Sequence, residues 1–161
     1  RCSPRAACFT AKGCGEVWAD MAESICLHYT VPGDDFTRAG EASADLKQRL
    51  KKLGIPPGAV RKVSIALYEG EINLAIHAHG GDIDVEVDDD AVRMTLSDTG
   101  PGIADIALAM SEGYSTAPDE VRSLGFGAGM GLPNMKKYSD EFDIQSAVGV
   151  GATVKMAVRI D

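Results

Sequence analysis

Glycine occupies every second position from Gly125 to Gly131, in the run GFGAGMG. Such a run leaves its backbone N–H groups unobstructed, and glycine adopts left-handed conformations without steric cost. The residues from about Leu132 to Tyr138 predict a helix, whose N-terminus favours an anion. The run therefore indicates a backbone site for an anionic group, although a G-x-G-x-G pattern alone is weak support for a function.

Neither of two common phosphate-binding motifs matches this run. No strand rich in Val and Ile directly precedes Gly125, and no Gly-Lys-Ser/Thr sequence follows, so the dinucleotide fingerprint and the P-loop are both excluded. The chain has 16 Lys and Arg against 24 Asp and Glu, a formal net charge of -8. This balance argues against nucleic-acid binding. It permits nucleotide binding, because backbone N–H groups and Mg²⁺ can neutralise phosphate locally.

A second pattern places polar residues on one helix. Glu69, Asn73 and His77 recur at i, i+4 and i+8 within a helix predicted from about Ala59 to Ala78, so they share a face. The amide oxygen of Asn73 suits Mg²⁺, and a carboxylate one turn away can orient or deprotonate a nucleophile. An ordinary solvated face is the alternative. Glu71 lies about 200° round the helix from Glu69 and is expected to face solvent.

A third motif, Asp98-Thr99-Gly100-Pro101-Gly102-Ile103, directly follows a predicted strand. A carboxylate at this position can accept a hydrogen bond from the amino group of adenine, and the glycines let the backbone pass close to a flat base. The alternative is a plain turn between a strand and a helix, where Asp and Gly are common.

Hydrophobic periodicity predicts the remaining elements. A strand covers residues 25–31. The helix that follows is capped by Asp34 or Asp35 and ends at Gly54. Gly80-Gly81 stops the second helix, whose predicted buried stripe is Val63, Ala66, Leu67, Gly70 and Leu74. A hairpin (82–87 and 91–97), a short helix (103–110), a long loop (111–131) and two strands (141–147 and 152–160) follow. This order predicts an α+β fold with a mixed, mostly antiparallel sheet and helices on one face.

Together, in this order and spacing, the three motifs resemble the GHKL ATPase superfamily, which includes gyrase B, Hsp90, histidine-kinase catalytic domains and MutL. The resemblance covers roughly residues 25–160 and implies the Bergerat fold, a two-layer α/β sandwich. Within the superfamily, the short chain, the stretch from Asn73 to His79 and the sequence GLPNMKKYSDEFDIQS at 131–146 are similar to the anti-sigma-factor serine kinases of bacterial partner switching, the RsbT-like and RsbW-like proteins.

The resemblance assigns roles to individual positions. Glu69 matches the catalytic carboxylate, Asn73 the Mg²⁺ ligand and Asp98 the adenine-binding aspartate. Lys136 and Lys137 could reach phosphate, but a solvated pair is the favoured alternative. The full set of candidate cofactor-binding residues is Asn73, His77, Asp98, Gly100, Gly102, Ile103, Ser115, Thr116, Gly125, Gly127, Gly129, Met130, Gly131 and Leu132.

The function that the resemblance implies is a serine/threonine-protein kinase that uses ATP and Mg²⁺. Its partner would be a STAS-like antagonist protein or a sigma-factor-type regulator, with no nucleic acid or membrane involved and a homodimer left open. The alternatives are an ATP-dependent regulatory binding protein with little turnover and a detached ATPase domain like that of histidine kinases.

The first 24 residues match nothing in the superfamily. Cys2, Cys8 and Cys14 follow no standard zinc or iron–sulfur spacing, which leaves a metal site as the less favoured alternative. We expect residues 1–24 to be a disordered leader or an added extension, with Met21 a sensible start, and residues 25–161 to be the ATP-binding domain. No apolar run long enough to span a membrane and no signal peptide is present, which predicts a cytoplasmic protein.

Overall fold

The computed structural model describes residues 24–33 and 35–161, so the expectations for the N-terminal segment, its cysteines and Asp34 lie outside the described residues. Within these residues the chain forms five strands and five α-helices. In chain order they are β1 (Ile25–Pro32), α1 (Glu41–Lys52), α2 (Pro57–His77), β2 (Gly80–Val87), β3 (Ala91–Ser97), α3 (Ile106–Ala109), α4 (Asp119–Ser123), α5 (Gly131–Lys137), β4 (Glu141–Ala147) and β5 (Gly151–Arg159).

The strands form one sheet in the order β1-β2-β3-β5-β4, and every neighbouring pair in it is antiparallel. The α+β class is therefore confirmed, with a sheet that contains no parallel pair among the described strands. Side chains alternate between the two faces of the sheet. One row of paired residues across the sheet contributes to the core and consists of Tyr29, Ile83, Leu96, Val154 and Ile144. The next row is polar and consists of Thr30, Asp82, Ser97, Thr153 and Gln145.

Helices α1 and α2 form an antiparallel hairpin whose apolar sides join the core of the sheet. Leu46 and Leu50 of α1 are fully buried. All five residues of the stripe predicted for α2 are buried, including Gly70. A Cβ atom at Gly70 would lie 2.3 Å from Leu96 Cδ2, so this glycine lets α2 approach β3 closely and offsets its low helix propensity.

Helix α1 begins later than predicted. Asp35 caps a 3-10 turn, Phe36–Arg38, with its side chain accepting a hydrogen bond from Thr37 N. Gly40 then adopts a left-handed conformation, φ 101°, and α1 starts at Glu41. The prediction of one continuous helix from Asp35 was wrong, because the left-handed glycine interrupts the helical backbone.

The expectation that Glu71 faces solvent was also wrong. Its side chain is only 2% exposed, and its two carboxylate oxygens accept hydrogen bonds from Ala42 N and Ser43 N, each at 3.1 Å. The first amides of a helix have no partner within the helix, so an acceptor from elsewhere can satisfy them. The N-terminus of α1 packs on that side of α2, and Glu71 caps it.

Three further boundaries differ from prediction. Helix α2 ends at His77 because His79 turns left-handed, φ 58°, and Gly80-Gly81 already belong to β2. Helix α3 covers only Ile106–Ala109, since Asp105 caps it by accepting from Leu108 N at 3.0 Å. The segment predicted as a loop, 111–131, contains the short helix α4.

Candidate functional site

A cleft of about 680 Å³ opens between α2, the end of β3 and the segment that carries the glycine run. This volume lies within the roughly 300–1,000 Å³ typical of small-molecule sites. Most of the predicted site residues line it together, namely Glu69, Asn73, His77, Asp98, Gly102, Ile103, Ser115, Thr116, Gly125, Gly127, Gly129, Met130, Gly131 and Leu132. Gly100 is the exception among the predicted positions.

Helix α2 supplies two polar groups near the start of α5. Glu69 Oε1 accepts a hydrogen bond from Asn134 Nδ2 at 3.0 Å. Asn73 Nδ2 lies 3.6 Å from Met135 Sδ. A Cβ atom at Gly131 would lie 2.9 Å from Asn73 Oδ1, so the absence of a side chain at Gly131 keeps room for the amide oxygen. The carboxylate and the amide therefore lie one helical turn apart on the same wall of the cleft.

His77 continues this wall towards the loop. Its Nδ1 lies 3.4 Å from Thr116 Oγ1, and burial lowers the pKa of the imidazole below its ordinary value. Desolvation disfavours the charged form, so the ring is predominantly neutral at neutral pH. His77 therefore brings no positive charge to the cleft.

The cleft is acidic in its side chains. Glu69, Asp98 and Asp105 line it, and the lining residues that the structure describes include neither Lys nor Arg. Lys136 and Lys137 are exposed on α5 and lie outside the lining, in agreement with the solvated alternative. An anionic ligand here would have to be neutralised by backbone N–H groups and by a cation that arrives with it.

The DTGPGI turn is held from two sides. Asp98 Oδ1 accepts hydrogen bonds from Gly100 N at 2.9 Å and from Ala152 N at 3.3 Å. Gly100 faces the end of α2, where an added Cβ would lie 2.8 Å from Ala78 Cα, which explains its position away from the cleft. Gly102 has φ 74°, and its Cβ would lie 2.3 Å from a carbonyl oxygen at the end of β4. The glycines thus serve close backbone packing that fixes Asp98.

The glycine run has a regular backbone pattern. Gly125, Gly127 and Gly129 have φ values of 90°, 75° and 76°, so every second residue is left-handed. Gly113 N donates to Gly129 O at 2.9 Å, and a Cβ at Gly129 would lie 2.4 Å from the carbonyl carbon of Gly113. A Cβ at Gly127 would lie 2.4 Å from Ala117 Cβ. The alternation allows the run to fold tightly against residues 113–117.

Sequence reasoning missed one residue that contacts the site and several apolar residues that line it. Asn134, which contacts Glu69, follows Gly131 by three positions in α5, and helical periodicity could have placed both on one side. The apolar lining residues contributed by different elements, Tyr68, Ile72, Leu96, Phe126, Met135 and Val154, carry no local signal. Only the packing of α2, α5 and the sheet brings them together.

Comparison with known proteins agrees with this geometry. Residues 59–161 match the family described as histidine kinase-, DNA gyrase B-, and HSP90-like ATPases. The match covers most of the chain, and the chain belongs to this family. Membership implies ATP binding and confirms the resemblance inferred from the three motifs.

Two relatives define the branch more closely. The chain is 31% identical over 109 residues to the serine/threonine-protein kinase RsbT of Bacillus subtilis (strain 168), an alignment that covers 65% of this chain and 76% of the relative. It is 33% identical over 99 residues to the anti-sigma F factor of Geobacillus sp. (strain WCH70), covering 58% of this chain and 64% of the relative.

A solved structure supports the fold. The crystal structure of the RsbU and RsbW domains of a Mycobacterium tuberculosis protein aligns with a TM-score of 0.58 at 17% identity. The alignment covers 84% of this chain and 32% of that one, so the chain spans about a third of the solved structure. The shared arrangement of sheet and helices agrees with the predicted Bergerat sandwich.

The described residues contain neither a membrane-spanning helix nor a cluster of metal-ligating side chains. No helix in the described ranges is long and apolar enough to cross a membrane. The same ranges contain no group of three or more His, Cys, Asp and Glu side chains placed to hold a metal ion. A Mg²⁺ ion that is bound largely by phosphate and water does not require such a group.

Proposed function

We propose that this chain is a serine/threonine-protein kinase of a partner-switching regulatory system, which transfers the γ-phosphate of ATP to a small antagonist protein. The observation that carries the proposal is the pairing of Glu69 and Asn73 one turn apart on α2, in a cleft that the glycine run also lines. A carboxylate and a hard oxygen ligand beside a glycine-rich backbone segment are parts that phosphoryl transfer can use.

Asn73 is the proposed Mg²⁺ ligand, and the residues around it fit that ion. Its Nδ2 contacts the Met135 sulfur, and its Oδ1 lies beside Gly131, where no side chain obstructs it. Mg²⁺ prefers oxygen ligands and commonly takes one or two from protein while phosphates and waters supply the rest. When bound, the ion would neutralise phosphate charge in a cleft whose described side chains include no Lys or Arg.

Asp98 is the proposed partner of the adenine amino group. Its Oδ1 accepts two backbone hydrogen bonds, and Oδ2 receives no donor from any residue in the described part of the chain. The remaining oxygen is thus available to a base that enters between the DTGPGI turn and α2. Gly102 and Ile103, which line the same part of the cleft, would contact the flat face of that base.

Glu69 is the proposed general base. The hydroxyl oxygen of the partner serine attacks the γ-phosphorus, a new P–O bond forms, and the bond to the bridging oxygen of ADP breaks. The serine proton passes to Glu69, and ADP leaves. Glu69 Oε1 is bonded to Asn134, whereas Oε2 receives no donor among the described residues, which supports its availability for the proton.

The proposed partner is a STAS-like antagonist or a sigma-factor-type regulator. Its support is the names of the relatives, a serine/threonine-protein kinase and an anti-sigma factor. The second name also favours another candidate function, a regulator that binds its partner in the presence of ATP with little turnover. Both functions use the same cleft, and they differ in whether phosphate leaves the nucleotide.

Incubation with γ-labelled ATP, Mg²⁺ and candidate antagonist proteins distinguishes the two. The kinase proposal predicts label on a partner serine, lost when that serine is replaced by alanine. A partner that binds in an ATP-dependent manner but never acquires label would favour the binding protein. A partner that does neither under saturating ATP would contradict both candidates.

A further inference from the structure

The side-chain amide of Asn134 contacts the carboxylate that we propose as the general base. Its Nδ2 donates to Glu69 Oε1 at 3.0 Å, and both side chains are partly buried in the structure. The two residues lie 65 positions apart and belong to α5 and α2, so only the tertiary fold joins them. Asn134 is not among the residues that line the cleft.

This contact involves only one of the two carboxylate oxygens of Glu69. One oxygen of Glu69 is occupied by the amide, and the other has no donor within the part of the chain that the structure describes. A hydrogen bond to one oxygen restricts rotation of the carboxylate and keeps the second oxygen in a constant direction. Restricting a reacting group in this way contributes to rate, since misplacement by about 1 Å can cost about a hundredfold.

The position of Asn134 depends on the glycine run. Asn134 N donates to Met130 O at 2.9 Å, and α5 starts at Gly131, the last glycine of the run. The next residue, Met135, contacts the amide of Asn73. Helix α5 therefore touches both polar groups of α2, and a displacement of the run would be transmitted to them.

We propose that Asn134 is a positioning residue that orients Glu69 for phosphoryl transfer and makes this orientation depend on the placement of the glycine run. The inference rests on the proposed kinase function and adds a residue to it. Asn134 itself does not touch the reacting atoms. It acts through Glu69, which predicts a loss of transfer rate with little change in ATP affinity.

The primary test compares single-turnover transfer to the partner serine with calorimetric ATP binding. In N134L the rate should fall by about tenfold or more, because a charge-assisted hydrogen bond is lost, while the Kd for ATP stays within about twofold. N134D keeps the shape of the side chain, loses the amide donor and places a second carboxylate beside Glu69. Its loss of rate should be at least as large, and it tests the proposal if N134L does not fold. N134Q retains a donor and should recover part of the rate.

The matched control is K136L, which places leucine at an exposed position on the same helix. It should transfer phosphate at the wild-type rate. In an E69Q background, N134L should add no further loss, since residues that act as a unit are non-additive. An equal fold-loss from N134L in both backgrounds would overturn the inference.

The contact can also be tested without turnover. The side-chain amide ¹⁵N–¹H signals of Asn134 should shift in E69Q and stay unchanged in E71Q, whose carboxylate contacts α1 instead. If wild type transfers no phosphate while these signals respond to E69Q, the kinase function fails and the contact stands. If wild type transfers phosphate and N134L and N134D transfer it equally well, the positioning role alone fails.

Discussion

The two faces of α2 carry glutamates with different surroundings. Glu69 and Glu71 are two positions apart, yet one lines the cleft and the other is buried against α1. Helical angles correctly separated the two carboxylates onto different faces. They could not show that the second face is covered, because the cover comes from the N-terminus of α1, whose docking has no local signature in the sequence.

Glu71 should therefore stabilise the fold. Glu71→Ala leaves the amides of Ala42 and Ser43 buried without their acceptor, and hydrogen bonds to a charged group are worth about 1.5–3 kcal/mol each. We expect the free energy of unfolding to fall by about 2–4 kcal/mol, measured by urea denaturation. Glu41→Ala, an exposed residue in the first turn of α1, is the control and should cost about 0.5 kcal/mol. Equal effects of the two substitutions would contradict the capping role.

Asp98 should determine the choice of base. Asp98→Asn keeps the shape of the side chain and an oxygen for its backbone contacts, but it replaces an acceptor by a donor. ATP affinity should fall by about tenfold or more, the size of one charge-assisted hydrogen bond. Wild type should bind GTP poorly, because guanine presents an oxygen where adenine has its amino group. Equal calorimetric affinity for ATP and GTP in the wild type would exclude this role.

At the scale of elements, long periodic segments were predictable and short ones were not. The stripe on α2 and the hairpin of β2 and β3 follow from spacing alone. Helices α3 and α4, with four and five residues, are too short to show a period and depend on capping and on the packing of the loop. Gly40 illustrates a different failure, since a single left-handed residue delays the start of α1 to Glu41.

The segment 111–131 should become more ordered when nucleotide binds. It surrounds the cleft, much of it is exposed, and few of its side chains are buried. Amide hydrogen exchange across the segment should slow on addition of ATP and Mg²⁺, while exchange in α1, which lies away from the cleft, should not change. Unchanged exchange in 111–131 at saturating nucleotide would show that the segment does not close on the ligand.

At the scale of the whole molecule, the fold brings together three motifs that are far apart in the chain. Asn73, Asp98 and Gly129 line one cleft because β3 ends beside α2 and because α5 packs on α2. The sequence predicted this convergence through a resemblance, since periodicity alone defined the elements without their arrangement. The hydrogen bond from Asn134 to Glu69 could be identified only from the structure.

The most direct test of the account measures ATP binding and phosphoryl transfer side by side in wild type, E69Q and N73A. In E69Q, ATP should bind at least as well as in wild type because a negative charge near phosphate is removed, and transfer should fall by about 10²–10⁴-fold. In N73A, Mg²⁺-dependent affinity and transfer should fall together. Loss of nucleotide binding in a folded E69Q, or full transfer by it, would contradict the role of Glu69 and the site built around it.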